Sequence, residues 1–164
     1  MSIKNEKRIT LLILSALSMA LPAYSFANDQ PLVAEMKVFQ IDANSKAKKE
    51  LKVTDQVKPK ALLEYKVEYS NKSNQSLKNL KLNLPLPNDV TYTGQSLPQG
   101  GYASTDGKVF AKAPLTRLEN GKKVNIPLSE YRALQWNVTE LKAKQKITVS
   151  AQVQVMEQYR FHYC

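Results

Sequence analysis

The chain is short of the residues that mark several protein classes. It has one Cys, Cys164, and one His, His162. A disulfide framework is therefore excluded, and a zinc shell of four Cys and His ligands cannot be assembled. Five Gly and eight Pro in 164 residues are too few for collagen or a low-complexity linker. The longest mainly apolar run, Ile9 to Leu21, has 13 residues and is too short to cross about 30 Å of hydrocarbon as a helix. No later run approaches that requirement, so the chain is not expected to be an integral membrane protein. Gly-rich phosphate loops and paired-carboxylate clusters are missing as well, and no cofactor is expected.

What the first 27 residues do carry is the three-part pattern of a secretory signal. Lys4, Lys7 and Arg8 precede the apolar run, Pro22 breaks it, and Ser25-Phe26-Ala27 offers small residues before Asn28. The sequence thus predicts cleavage after Ala27 and export to the periplasm or the exterior. The leader holds three bases and one acid, so 21 bases against 13 acids leave the mature chain at +8. Only Arg117, Arg132 and Arg160 among those bases are Arg. A Lys-dominated surface is diffusely basic rather than a shaped, bidentate anion pocket.

Beyond Leu62 the hydrophobic period is two, as in strands with one buried face. Leu63, Tyr65, Val67 and Tyr69 alternate with Glu64, Lys66 and Glu68; Leu80, Leu82 and Leu84 alternate with Lys81 and Asn83. Ile147, Val149, Ala151, Val153 and Val155 form the longest such row. Asp106-Gly107 and Asn120-Gly121 are hairpin-type turns, bracketing strands near Val109 to Lys112 and Val124 to Ile126. Residues 28–56 hold two weaker alternating runs, around Met36 and Leu51, separated by a Lys-rich loop for which a short helix over Ala43 to Leu51 is the alternative. Seven to nine short strands without a persuasive helix predict an all-β, immunoglobulin-like β-sandwich. Tyr65, Tyr69 and Trp136 are its expected large core rings.

Several motifs between Val57 and Val155 carry a family resemblance. Pro59 precedes Tyr65-Lys66-Val67-Glu68-Tyr69-Ser70-Asn71, and Leu77-Lys78-Asn79-Leu80-Lys81-Leu82 follows. Leu84-Pro85-Leu86-Pro87-Asn88-Asp89-Val90-Thr91-Tyr92 and Leu134-Gln135-Trp136-Asn137-Val138 complete the set. This stretch resembles a single copy of the bacterial conserved-repeat domain, domain of unknown function eleven, found in secreted and cell-surface proteins. The turn glycines that family favours after Asn71 and before Val90 are absent here. The resemblance implies an Ig-like fold in the cell envelope or outside the cell, and no chemistry.

Chemistry-bearing residues are correspondingly sparse, and a non-enzymatic structural or interaction module is expected, with an unknown envelope or surface protein as partner. Lys46, Lys48, Lys49, Lys52, Lys58 and Lys60 form the densest basic segment. It reads either as a patch for anionic polymer (lipopolysaccharide, acidic polysaccharide or extracellular DNA) or as a solvated strand edge guarded by lysine. No aromatic row stands among these lysines, so specific nucleic-acid binding is not expected. The insert Pro114 to Tyr131, with Arg117 and Tyr131 and with Arg132 just beyond it, is either an interaction surface or a hairpin covering a sheet edge. Residues 156–164 form a tail whose Tyr159, Phe161 and Tyr163 alternate with polar residues. That tail reads as a strand donated to a partner or as a continuation of the last strand, and Cys164 is a candidate for an intermolecular disulfide in a homodimer.

Overall fold

The computed structural model describes residues 31–157. The leader, residues 1–27, and the tail residues Gln158 to Cys164, with His162 and Cys164, lie outside the described part. Within it the chain runs through eleven strands: β1 (Leu32–Ile41), β2 (Lys48–Glu50), β3 (Leu62–Asn71), β4 (Leu77–Pro85), β5 (Val90–Leu97), β6 (Tyr102–Ser104), β7 (Ala111–Lys112), β8 (Thr116–Glu119), β9 (Lys122–Asn125), β10 (Ala133–Leu141) and β11 (Lys146–Val155). A 3-10 turn at Leu128–Glu130 precedes β10. No helix among the described residues is long and apolar enough to cross a membrane.

The alternating rows become the two central strands of one sheet. β3 and β11 pair antiparallel, with Val67 opposite Val149 and Leu63 opposite Val153, so the apolar side chains of both stack on the same face. β1 and β2 extend this sheet on one side and β5 closes it on the other, in the order β2-β1-β3-β11-β5. The second sheet has the order β4-β10-β6-β7, and β8-β9 stands apart as a hairpin. Leu82, Leu84, Leu134 and Trp136 from the second sheet meet Leu63, Val67, Val149, Ala151 and Val153 from the first in one buried core.

The all-β sandwich expected from the sequence is what forms. Its pairing is nested: β3 takes β11, β4 takes β10, and β6 takes β7. One long hairpin rolled over itself gives this nesting, as in jelly rolls. The immunoglobulin order instead keeps its last two strands side by side, whereas β10 and β11 lie in opposite sheets. In the rolled order the position beyond β5 would take another strand. Here the 3-10 turn packs against β5, and no described strand pairs with its outer edge.

Eleven strands exceed the seven to nine expected because β6 and β8 are only three and four residues long, too short for a clear alternation, while β7 falls within the strand expected near Val109 to Lys112. The Lys-rich loop contains the edge strand β2 and not the alternative helix. Tyr65 and Tyr69 are partly buried against the core. The Tyr69 hydroxyl donates to the Asn83 carbonyl in the facing sheet, which ties the two layers together.

Candidate functional site

Between β5 and the opposite sheet, beside the 3-10 turn, lies a cleft of about 360 Å³. Four rings, those of Tyr92, Tyr102, Tyr131 and Trp136, contribute to its walls, with Leu128 and Leu134. The Tyr92 and Tyr131 rings are stacked, 5.9 Å between centroids at 25°, a favourable separation for an aromatic pair. Burial pushes the Tyr92 phenol above its ordinary pKa, an effect partly offset by a bond to Ser96. Ser96 and Gln99 supply the polar side chains of the lining, which contains no Lys, Arg, His, Asp or Glu. A chain with 24 Lys and Arg has built an uncharged hollow.

Local sequence explains the shape. β5 and β11 lose register between Tyr92 and Ser96, where three residues of β5 face Gln152 alone. Gly94 lies in that bulge at φ +88°, a conformation that costs glycine little. A Cβ at this position would stand 3.4 Å from Leu128 Cδ1, an ordinary contact, so the positive φ and not crowding favours glycine here. Gly101 is required for a different reason: a Cβ there would lie 2.8 Å from the Gln135 carbonyl oxygen and 3.0 Å from Trp136 Nε1. Trp136 itself is 6% exposed, and its Nε1 donates to the Pro98 carbonyl at 2.7 Å. The indole therefore fixes the loop from Pro98 to Gly101 that forms one wall.

Of the insert candidates, Tyr131 lines this cleft, whereas Arg117 and Arg132 hold the segments beside it. Tyr131 is 1% exposed, and its hydroxyl accepts the Leu115 N–H at 2.8 Å. It belongs to the core and is not the surface contact the sequence suggested, because its ring packs inward on Tyr92 and its hydroxyl closes the base of the β8–β9 hairpin. Arg117 lies 2.7 Å from Glu119 and 2.6 Å from Glu130, and these carboxylates raise its pKa. It clamps the hairpin to the 3-10 turn. Arg132 donates from one guanidinium nitrogen to the carbonyls of Ser129 and Tyr131, both at 2.8 Å.

Three of the six lysines of this segment have a carboxylate neighbour, and Lys46 and Lys48 line one hollow with Glu64. Lys48 pairs with Glu64 at 2.7 Å, Lys49 approaches Asp55 at 4.0 Å, and Lys60 pairs with Glu157 at 2.8 Å. Lys46 ends the β1–β2 turn at φ 59°. The Lys52 backbone N–H bonds Asp55 at 3.1 Å. Lys48 and Lys49 lie on the edge strand β2, where short, charged strands discourage sheet-to-sheet pairing. Among the described residues, no group of three His, Cys, Asp or Glu is placed to hold a metal ion.

Sequence reasoning missed Tyr92, Tyr102 and Leu128 as cleft residues. The only available signal was the bulge-prone Gly94 within an otherwise strand-like segment. No protein-family model, curated protein or solved structure matches this chain.

Proposed function

We propose that this chain is an exported, non-enzymatic β-sandwich module that works in the bacterial cell envelope or outside the cell by binding a partner protein. The cleft beside β5 is the observation that carries this reading. It combines about 360 Å³ of aromatic, uncharged lining with an outer edge of β5 that pairs with no strand among the described residues. An extended segment can add to such an edge through backbone hydrogen bonds while one of its side chains enters the pocket. Among the described residues the lining holds no His, Asp, Glu, Lys or Cys to act as a general acid or base, and Tyr92, Tyr102 and Tyr131 are its only ionisable side chains. The secretory leader pattern supports an exported setting.

The anionic-polymer alternative draws less support from the geometry, since Lys48, Lys49 and Lys60 each face a carboxylate. A photo-crosslinking residue placed at Leu128, at the cleft mouth, tests the reading against one at Thr148, exposed on the outer face of the first sheet. In cells, discrete protein adducts are expected from position 128 and none from 148. Equal labelling from both sites, or none from 128, would count against a partner-binding cleft.

A further inference from the structure

The outer face of the first sheet holds a second hollow, of about 430 Å³, within the size range of small-molecule sites. Glu64 on β3 and Ser150 and Gln152 on β11 form its floor. They alternate with the buried Leu63, Ala151 and Val153 and so point away from the core. An outward-facing side chain of a sheet is ordinarily exposed, yet Ser150 is 6% exposed and the Glu64 side chain 12%. The face is recessed because two walls rise beside it. Lys46 and Lys48 of the β1–β2 hairpin make one, and Gln95, Leu97 and Gln99 at the end of β5 make the other. The bulge that shapes the aromatic cleft also builds this wall, since it sets both Thr93 and Gln95 against the single residue Gln152.

The polar groups of the floor are held in place with bonding capacity to spare. Glu64 Oε2 takes the Lys48 ammonium at 2.7 Å, and Oε1 accepts the Ser150 hydroxyl at 3.1 Å. A carboxylate has about four acceptor sites, so further donors can be received. The Thr93 hydroxyl donates to the Gln152 carbonyl at 3.0 Å and lies 3.3 Å from Gln152 Oε1, which orients the side-chain amide. Among the described residues, Gln152 Nε2, the exposed amides of Gln95 and Gln99, and the Lys46 ammonium have no partner.

This donor and acceptor set selects a ligand class. Lys48 and Glu64 offset each other, leaving Lys46 as the one uncompensated charge. A polyanion would meet the Glu64 carboxylate and find no Arg in the lining. An apolar ligand would remove water from the carboxylate and the amides without replacing its hydrogen bonds. A hydroxyl both donates and accepts, which suits a lining of one carboxylate and three carboxamides. Leu97, 63% exposed, offers an apolar contact for the C–H face of a sugar ring. We propose that this hollow binds a short neutral saccharide whose hydroxyls bond Glu64, Gln95, Gln99 and Gln152. Ser96 and Gln99 border both hollows, but the saccharide site does not rest on the reading of the aromatic cleft.

Titration of the isotope-labelled mature chain with maltotriose, cellotriose and chitotriose tests it through the side-chain amide resonances of Gln95, Gln99 and Gln152. At least one trisaccharide is expected to shift them saturably, with a Kd of millimolar order, and to leave the Trp136 indole resonance in place. Gln95→Ala should weaken that binding about fivefold, the net worth of one hydrogen bond. Raising the salt to physiological strength should leave it unchanged. No shift with any of the three sugars would overturn the proposal. So would shifts at Trp136 and Tyr102 in place of the glutamines, which would put the sugar in the aromatic cleft. A galacturonic acid trimer that binds where the neutral sugars do not, and that salt releases, would also overturn it and assign the hollow to Lys46 and Lys48. Millimolar binding does not hold a protein on washed envelopes, so this outcome is read separately from partner capture by the cleft.

Discussion

The side-chain amide nitrogen of Asn71, at the end of β3, lies 3.0 Å from the Leu141 carbonyl oxygen at the end of β10. The same nitrogen is 3.0 Å from the Lys142 carbonyl and 2.7 Å from that of Gln75. Asn71 Oδ1 meanwhile accepts from the Ser73 backbone N–H at 3.0 Å and from its hydroxyl at 2.7 Å. One side chain, 1% exposed, thereby joins the β3–β4 turn to the β10–β11 turn. Its burial also makes it a poor acceptor for a glycan, although Asn71-Lys72-Ser73 has the acceptor pattern.

Removing this knot should be costly, because the carbonyls lose their donor inside the protein. Asn71→Ala is expected to lower stability by about 2–4 kcal/mol, from buried groups left unsatisfied at about 1–3 kcal/mol each. Urea denaturation of the variant measures this. A loss below about 1 kcal/mol would mean that water replaces the amide without penalty.

Trp136 separates packing from hydrogen bonding. Trp136→Ala should cost about 3–5 kcal/mol through the cavity it leaves. Trp136→Phe keeps most of the ring, and the lost bond to Pro98 should cost about 1 kcal/mol. The Phe variant should also exchange faster at Gly100 and Gly101, since the loop is held by the indole nitrogen. Denaturation and amide exchange together read both effects.

Strong acid should loosen the β6–β7 turn. Asp106 accepts the backbone N–H groups of Val109 at 2.9 Å and Lys108 at 2.8 Å, and the Ser104 hydroxyl at 2.8 Å. These bonds lower its pKa from 3.8 to about 2. A carboxyl depressed on folding contributes stability that is complete above its unfolded value and is lost as pH falls through the folded one. The Val109 amide resonance should therefore titrate with a midpoint near the value of about 2. In Asp106→Asn that transition should vanish. A midpoint at the ordinary carboxyl value in the wild type would show that the turn is not formed around this residue.

Legibility in the sequence followed the range of the interactions. The rows on β3, β4 and β11 were readable because alternation over five to nine residues identifies a buried face, and the Asn120-Gly121 turn was readable from residue type, whereas Asp106-Gly107 lies in a longer connection between Ala103 and Ala111. Strand order was not: pairing β3 with β11 joins residues about 80 positions apart, and periodicity carries no record of the neighbour. Tyr131 was misplaced because it sits between a 3-10 turn and a strand, where no period reveals which way a ring points. The cleft escaped for the same reason, since Tyr92, Tyr102, Leu128 and Trp136 come from four separate segments.

Retention of the protein on isolated cell envelopes, compared between wild type and Leu128→Arg at low and at physiological salt, tests the central claim most directly. Wild-type retention should change by less than about twofold between the two salt concentrations, because an uncharged cleft releases few counterions. Leu128→Arg, which places a charge at the cleft mouth, should abolish retention while leaving the fold intact. Retention that falls steeply with salt, by ten- to a thousandfold on the order expected for polyanion contacts, and that Leu128→Arg preserves or strengthens, would contradict the account and return the function to the lysines.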